Sequence, residues 1–343
     1  MDILKFMQNV YAAEESDKRK IGYLYQHSGI GHRYSVIPDY SRPASDWKFY
    51  PQSENLEPVP SLEQRMDVYN KQAPLLSVNA IRNCLGHINE KPEVTHLITV
   101  SCTGMSAPGL DLQVAELLDL KNNIFRTSIN FMGCYAAIHA LKIADAICSS
   151  DIKAHVLIVC TELCTLHFQR EPTMDNIASS LLFGDGSAAA LIVPNHHPSH
   201  GLQFDGFYSE IIPKGKRDMA WELSSTGFLM TLSGYIPDLI KEDFNSIVQR
   251  SLSENSCDIK DISHWCIHPG GKRILETIGK CLSFTNNELK TSYEILNEFG
   301  NLSSATILFV LNNMMKHKKE IKKLYGAAFG PGLTVETFLA HYQ

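Results

Sequence analysis

Short apolar runs alternate with amphipathic stretches through the middle of the chain. The short apolar run at 94–100 predicts a buried strand, and the runs at 124–130, 155–161 and 187–193 predict further strands. The stretches at 110–120 and 136–149 place apolar residues three and four positions apart, which predicts helices. This alternation of strands and helices is typical of an α/β fold whose strands are buried on both faces.

A second block of elements follows a polar, turn-rich stretch at 195–206. It predicts helices at 237–252, 272–282, 288–299 and 305–316, and strands at 264–268 and 334–340. The first 90 residues give a weaker pattern, and the prolines within 41–60 indicate a loop. We therefore expect two units, 1–200 and 201–343.

Composition narrows the class of protein. The chain has 343 residues, a hydrophobic fraction of 44% and a formal net charge of −6. This balance supports a large core and argues against a nucleic-acid binder, which normally has a basic face. No apolar run approaches the roughly 20 residues of a membrane span, and no signal peptide is recognisable at the start. The nine cysteines have irregular spacing without a CxxC pair, which predicts reduced thiols, a cytoplasmic protein and no metal site.

One cysteine has a context that suits a nucleophile. Cys134 lies in NFMGCY, between a predicted strand and a predicted helix, and Gly133 allows a sharp turn there. A thiol at a helix N-terminus faces unpaired N–H groups and the positive end of the helix dipole. We expect both to lower the pKa of the thiol and to favour the thiolate. A buried core cysteine is the alternative interpretation.

Two further residues are candidates for the same site. His268 ends an apolar strand, and the Pro-Gly-Gly that follows prevents the strand from continuing. Asn301 lies in FGNLSS, where it can cap a helix or offer two N–H donors to an oxyanion. The order Cys, His, Asn is also that of papain-like hydrolases, and the 134 residues between Cys134 and His268 permit that alternative. The papain-type sequence around the cysteine is absent.

Four segments together resemble the chalcone synthase-like family, the type III polyketide synthases. They are FGDGSAA at 183–189, HPGG at 268–271, GNLSSA at 300–305 and FGPGLTVE at 329–336, in the family's order and at similar spacing. The resemblance covers about residues 16 to 341. FGDG and GN-x-S are also similar to ketoacyl synthase III, whereas HPGG and FGPGLTVE favour the polyketide branch. Tyr135 and the stretch 219–237 look more like microbial members than plant ones.

The resemblance implies a thiolase-like αβαβα layered fold of two similar halves and a homodimer. The half 1–200 then carries Cys134, and the half 201–343 carries His268 and Asn301 as the other members of a catalytic triad. The resemblance places Phe183 where the CoA tunnel meets the cavity. The other substrate-binding positions fall on Met230, Cys102, Cys164, His167, Trp221 and Ser303. The CoA-binding candidates are Lys20, which matches a basic position of the family, and Lys272 and Arg273, which follow HPGG.

The expected reaction is iterative decarboxylative Claisen condensation of malonyl-CoA onto an acyl-CoA starter held on Cys134. Cyclisation would give a pyrone, a resorcinol or a related polyketide. CoA thioesters drive the chemistry, so no cofactor and no metal is expected. The alternatives are a ketoacyl synthase III-like enzyme that extends once, a papain-like hydrolase, and a non-catalytic binding subunit.

Overall fold

The computed structural model describes residues 2–53, 55–86, 93–197, 201–285, 287–317 and 320–343. The helices in these ranges are α1 Asp2–Tyr11, α2 Glu15–His27, α3 Leu62–Leu85, α4 Leu110–Leu117, α5 Ala136–Ser150, α6 Met174–Leu182, α7 Ile236–Glu254, α8 Lys272–Cys281, α9 Lys290–Phe299 and α10 Thr306–Met315. The strands are β1 His96–Ser101, β2 Phe125–Asn130, β3 Val156–Leu163, β4 Asp185–Ile192, β5 Leu202–Ile211, β6 Met219–Ser224, β7 Gly227–Leu232, β8 His264–Ile267, β9 Leu324–Gly330 and β10 Thr334–Tyr342. No helix in the described ranges combines the length and apolarity needed to cross a bilayer.

The first sheet has the strand order β2-β1-β3-β4. β1 is parallel to both β2 and β3, whereas β4 is antiparallel to β3. β3 is buried along its whole length, which explains its continuous apolar sequence. Side chains alternate between two cores: Leu157 and Val159 face one, and Ile158 and Cys160 face the other. β3 is therefore covered on both faces, as the pattern predicts, whereas most of the edge strand β2 is exposed.

The second sheet has the order β5-β10-β9-β8. β8 is parallel to β9, β9 is antiparallel to β10, and β10 is antiparallel to β5. A register shift in the pairing of β10 with β5 falls between Leu339 and Ala340. The run β8-β9-β10 repeats the pairing pattern of β1-β3-β4. All described strands of the first sheet precede residue 200 and those of the second follow residue 201, so we propose the division 1–200 and 201–343.

Helices α5 and α10 lie between the two sheets, where one continuous core joins them to both inner faces. A second core packs α1 and α3 on the outer face of the first sheet. A third packs α7 and α8 on the outer face of the second sheet. The result is the predicted αβαβα layering, with the N-terminus of α5 pointing toward the end of the second sheet.

Elements that the sequence pattern missed lie mainly outside these two sheets. They are α1 and α2, the 24-residue helix α3 with Pro74 inside it, α6, and the hairpin β6–β7. Strands β5 and β9 were also missed. The hairpin matters for function, because it forms one wall of the cavity described below.

Candidate active site

Cys134 lies in the turn between β2 and α5. Phe131 and Gly133 adopt positive φ angles of 59° and 79°, so the chain reverses within four residues of the strand end. A Cβ at Gly133 would lie 2.3 Å from Cδ of Pro331, so only glycine fits this turn without a shift of its neighbour. The turn therefore presents the Cys134 side chain ahead of the first turn of α5, as predicted.

Asn301 lies opposite Cys134, in the segment between α9 and α10. Its side-chain Oδ1 accepts hydrogen bonds from the backbone N–H of Ser303 at 2.8 Å and from the hydroxyl of Thr306 at 3.3 Å. Its Nδ2 lies 3.9 Å from Sγ of Cys134 and 3.5 Å from the carbonyl oxygen of Gly270. The amide oxygen thus caps the following 3₁₀ turn, and Sγ of Cys134 lies 3.9 Å from both Oδ1 and Nδ2 of Asn301.

His268 follows the last residue of β8, and its backbone N–H donates to the carbonyl of Ala327 at 2.9 Å. Its imidazole is 1% exposed and lines the same cavity as Cys134 and Asn301. Within the described part of the chain, neither ring nitrogen has a hydrogen-bond partner. A buried imidazole with both nitrogens available can accept a proton from a substrate or a nucleophile, or donate one.

The expected thiolate is wrong for the resting site. Burial raises the pKa of Cys134 to about 12; the hydrogen bond to Ser303 lowers it, nearby Glu162 raises it, and Asn301 lowers it. Burial also lowers the pKa of His268 to about 3. Desolvation penalises the charged form of each group and outweighs the helix N-terminus. Burial therefore favours a neutral thiol and a neutral imidazole in the resting site.

Glu162 is a buried carboxyl behind the cavity wall that the sequence pattern missed. It accepts hydrogen bonds from the backbone N–H of Cys102 and the hydroxyl of Thr103, both at 2.9 Å, and from the hydroxyl of Ser304. Burial raises its pKa to about 7, and these donors oppose the rise. The sequence does contain a signal for this residue. Glu162 is the one carboxylate in the apolar run VLIVCTEL, and a buried charge needs polar partners.

A single cavity joins the three candidate catalytic residues and encloses about 1090 Å³, its opening to solvent included. All seven predicted substrate-binding residues line it, namely Phe183, Met230, Cys102, Cys164, His167, Trp221 and Ser303. Residues that the sequence did not indicate also line it, including Ile3 and Met7 of α1, Phe168, Phe228 and Ile274. The lining is mostly apolar, and the Cys134 thiol lies within it.

The hairpin β6–β7 is held over the cavity by two of the predicted substrate-binding residues, Trp221 and His167. Nε1 of Trp221 donates to the carbonyl of Cys102 at 2.6 Å. The ring of His167 stacks on Phe228 at 4.0 Å, and its Nδ1 accepts from the backbone N–H of Phe228 at 3.1 Å. Its Nε2 then donates to the carbonyl of Thr103 at 2.7 Å. Burial lowers the pKa of His167 to about 3, so this wall is uncharged.

The predicted CoA-binding cations lie outside the cavity lining. Lys20 is exposed and pairs with Asp17 at 3.5 Å, Lys272 lies 3.9 Å from Glu276, and Arg273 is exposed. The cavity is instead lined by Arg33, which the sequence analysis missed because it lies in the weakly patterned first 90 residues. A role for the three predicted cations stays a prediction.

These groups suit acyl transfer coupled to stabilisation of an oxyanion. The thiol can form a thioester, the imidazole can move the proton, and the Asn301 amide can donate to a negatively charged oxygen. In the described residues, no cluster of three or more His, Cys, Asp or Glu side chains is arranged around a metal-ion position.

Comparison with known proteins agrees with this chemistry. The family model for the N-terminal domain of chalcone and stilbene synthases matches residues 5–196, and the model for their C-terminal domain matches residues 205–342. A curated relative, "Probable polyketide synthase 1" of Dictyostelium discoideum, is 28% identical over 339 residues. That alignment covers 96% of this chain and 10% of the relative, so the chain spans about a tenth of the relative's length.

Two solved structures have the same fold. PKS-I from the brown alga Ectocarpus siliculosus matches with a TM-score of 0.92 and 25% identity, over 100% of this chain and 93% of that one. The C-terminal type III polyketide synthase domain of Steely1, a type I/III hybrid from Dictyostelium, matches with a TM-score of 0.90 and 26% identity, over 99% and 94%. The fold is thus thiolase-like, and the chain belongs to the chalcone and stilbene synthase family, the type III polyketide synthases.

Proposed function

We propose that this protein condenses malonyl-CoA repeatedly onto an acyl-CoA starter held on Cys134, and that the resulting polyketide cyclises to a pyrone, a resorcinol or a related ring. The observation that carries the proposal is the meeting of three groups in one apolar cavity: the Cys134 thiol, the Asn301 amide 3.9 Å from it, and the His268 imidazole, which has no partner among the described residues. CoA thioesters are the substrates, and the reaction needs no further cofactor.

Starter loading requires transfer of the Cys134 thiol proton to a nitrogen of His268. Because both groups are neutral at rest, this transfer accompanies attack of the sulfur on the thioester carbonyl. The tetrahedral oxyanion collapses, and CoA leaves as a thiol after taking the proton from His268. The products of this step are an acyl thioester on Cys134 and neutral imidazole.

Malonyl-CoA then occupies the same cavity. Its thioester oxygen accepts hydrogen bonds from Nδ2 of Asn301 and from His268, and loss of carbon dioxide places negative charge on that oxygen as an enolate. Donors aimed at the developing charge lower the barrier, and a single one contributes about 3–4 kcal/mol. Phe183 offers an apolar surface to the carboxylate, which favours its departure as neutral carbon dioxide. The enolate carbon attacks the acyl group, forms the new C–C bond and expels the Cys134 sulfur as a thiolate, with the extended chain now on CoA. Attack of this thiolate on the new CoA thioester reloads Cys134 and releases CoA for the next cycle.

A homodimer is part of the proposal. β2 is an edge strand of the first sheet in the described chain, most of it is exposed, and Phe125 at its start is 68% exposed. Leu112 and Leu117 of the neighbouring helix α4 are also exposed apolar residues. An open edge bordered by apolar side chains suits pairing with a second copy. Light scattering should give twice the 38.4 kDa chain mass. Phe125→Arg should reduce it toward one chain, whereas Ile152→Arg, at an equally exposed apolar residue outside β2 and α4, should not.

The cytoplasm fits the proposed substrates, since CoA thioesters are made there and all nine cysteines are free.

The deciding experiment incubates pure protein with malonyl-CoA and starters from acetyl-CoA to long fatty acyl-CoA, followed by mass spectrometry of the products. Pyrones or resorcinols support the proposal. Products of one extension alone, or activity solely with carrier-bound malonyl groups, would instead identify a ketoacyl synthase III-like enzyme. Cys134→Ala should abolish product formation. Cys281→Ala, which changes a cysteine outside the cavity, should retain it.

A further inference from the structure

Arg33 lies where the segments that carry Phe183 and Asn301 meet. It follows α2, and in the part of the chain that the structure describes it is the one Lys or Arg that lines the cavity. No carboxylate side chain lines the cavity in the described residues, so the charge of Arg33 has no acidic neighbour there. Its hydrogen bonds go mainly to backbone carbonyls instead.

The guanidinium of Arg33 holds the C-terminal end of α6. Nη1 donates to the carbonyl oxygen of Phe183 at 3.0 Å and also to that of Ser180. Carbonyls in the last turn of a helix lack helical partners, and a cation there also interacts favourably with the helix dipole. Nη2 donates to the hydroxyl of Tyr25 at 3.2 Å, which fixes the plane of the guanidinium. The backbone of Phe183 is therefore anchored through Arg33.

The aliphatic stem of Arg33 packs on Gly300, the residue before Asn301. A Cβ at Gly300 would lie 2.9 Å from Cγ of Arg33 and 2.9 Å from the carbonyl oxygen of Leu182. Gly300 has a φ of 71°, a conformation that glycine adopts readily. The absence of a side chain at this position lets the arginine stem lie directly against the backbone that leads into Asn301.

Two backbone hydrogen bonds connect the segments that Arg33 touches. The N–H of Asn301 donates to the carbonyl of Leu182, and the N–H of Gly184 donates to the carbonyl of Asn301, both at 2.9 Å. The Phe183 and Asn301 backbones thus form a short parallel bridge. The guanidinium of Arg33 binds the Phe183 strand of this bridge, and its aliphatic stem packs against the segment that carries Asn301.

We propose that Arg33 is a positioning residue for the decarboxylation step. It fixes the Phe183–Asn301 bridge, so that the apolar ring and the amide donor face the malonyl group together. This inference rests on the proposed function. Lysine cannot replace arginine fully, because a single ammonium cannot reproduce the planar fork that reaches both carbonyls and the Tyr25 hydroxyl.

The test measures two half-reactions in Arg33→Ala. The first is formation of the acyl-enzyme on Cys134, followed by intact-protein mass spectrometry. The second is conversion of malonyl-CoA to acetyl-CoA without a starter. We expect decarboxylation to fall by about ten- to a hundredfold, the effect of losing hydrogen bonds from a charged donor, and loading to change by less than about threefold. Arg42→Met, which changes an exposed arginine outside the cavity, should leave both rates unchanged.

Chemical rescue separates positioning from general loss of structure. Ethylguanidinium at tens of millimolar should restore decarboxylation by Arg33→Ala, whereas ethylammonium at the same concentration should not. Equal losses of loading and decarboxylation without rescue would overturn the proposal, and so would a variant that decarboxylates like the wild type. If the wild type neither loads nor decarboxylates, the proposed function itself fails, and this role fails with it.

Discussion

Replacing Asn301 by aspartate changes one atom in the site and removes the donor that the mechanism requires. The new carboxylate keeps an oxygen where Oδ1 accepts from Ser303 and Thr306. Its other oxygen takes the place of Nδ2, which lies 3.9 Å from Sγ of Cys134 and 3.5 Å from the carbonyl of Gly270. An N–H donor toward the enolate is thereby replaced by a negative charge.

Loss of one such donor raises the barrier by about 3–4 kcal/mol, which predicts that malonyl decarboxylation by Asn301→Asp falls by about a hundred- to a thousandfold. Because the site is buried, the pKa of the new carboxyl should rise. Its protonated form can donate a hydrogen bond, so the residual activity should increase as the pH falls.

The assay follows conversion of malonyl-CoA to acetyl-CoA by chromatography and acyl loading of Cys134 by intact mass. Loading should fall by less than about tenfold, since the amide contributes one hydrogen bond there. Asn297→Asp provides a matched control, because it makes the same chemical change at an exposed amide outside the cavity. Equal losses of loading and decarboxylation, or full decarboxylation by Asn301→Asp, would refute the reasoning.

Three further predictions concern the turn, the thiol and the buried carboxyl. Gly133→Ala should lower the free energy of unfolding in urea by about 2–4 kcal/mol, because it combines a φ of 79° with a 2.3 Å approach to Pro331. Gly201→Ala is the control, since no atom of the described residues lies within 4 Å of its added Cβ, and it should change this free energy by less than about 0.5 kcal/mol. Since the pKa of Cys134 is raised to about 12, iodoacetamide labelling of its tryptic peptide should rise about tenfold per pH unit between about pH 6 and 9, and a plateau in that range would reveal a thiolate instead. The pKa of Glu162 is raised from 4.5 to about 7 in the folded protein, so the folded state binds this proton more tightly and wild-type stability falls as the pH rises through that window. When urea denaturation is measured across this pH range, the free energy of unfolding of Glu162→Gln should fall by about 3 kcal/mol less than that of the wild type. An equal fall in the two proteins would contradict the assignment.

Local sequence signals located the three candidate catalytic residues because each lies at the end of an element. Cys134 follows a strand and a glycine turn, His268 is followed by Pro-Gly-Gly, and Asn301 follows a glycine in an N-cap context. Turn chemistry of this kind is encoded within a few residues, so it can be predicted without knowing the fold. Bringing the three residues into one cavity required the resemblance to a known family.

The parts that were missed depend on contacts between distant segments. Arg33 and Glu162 hydrogen-bond to partners 60 to 150 residues away, which no local pattern reveals. The hairpin β6–β7 gave no strong alternation because its strands are only partly buried. The pKa of Cys134 was predicted in the wrong direction, because the helix N-terminus is visible in the sequence but the burial of the thiol inside the cavity is not.

The account depends most on covalent attachment of the starter to Cys134 in this cavity. The most direct measurement is peptide-level mass spectrometry of the protein after brief exposure to an acyl-CoA that it accepts. The account predicts an acyl adduct on the peptide that contains Cys134, which disappears when malonyl-CoA is added and does not form in Cys134→Ala. An adduct on Cys102 or Cys164 instead, or one that malonyl-CoA does not discharge, would contradict it.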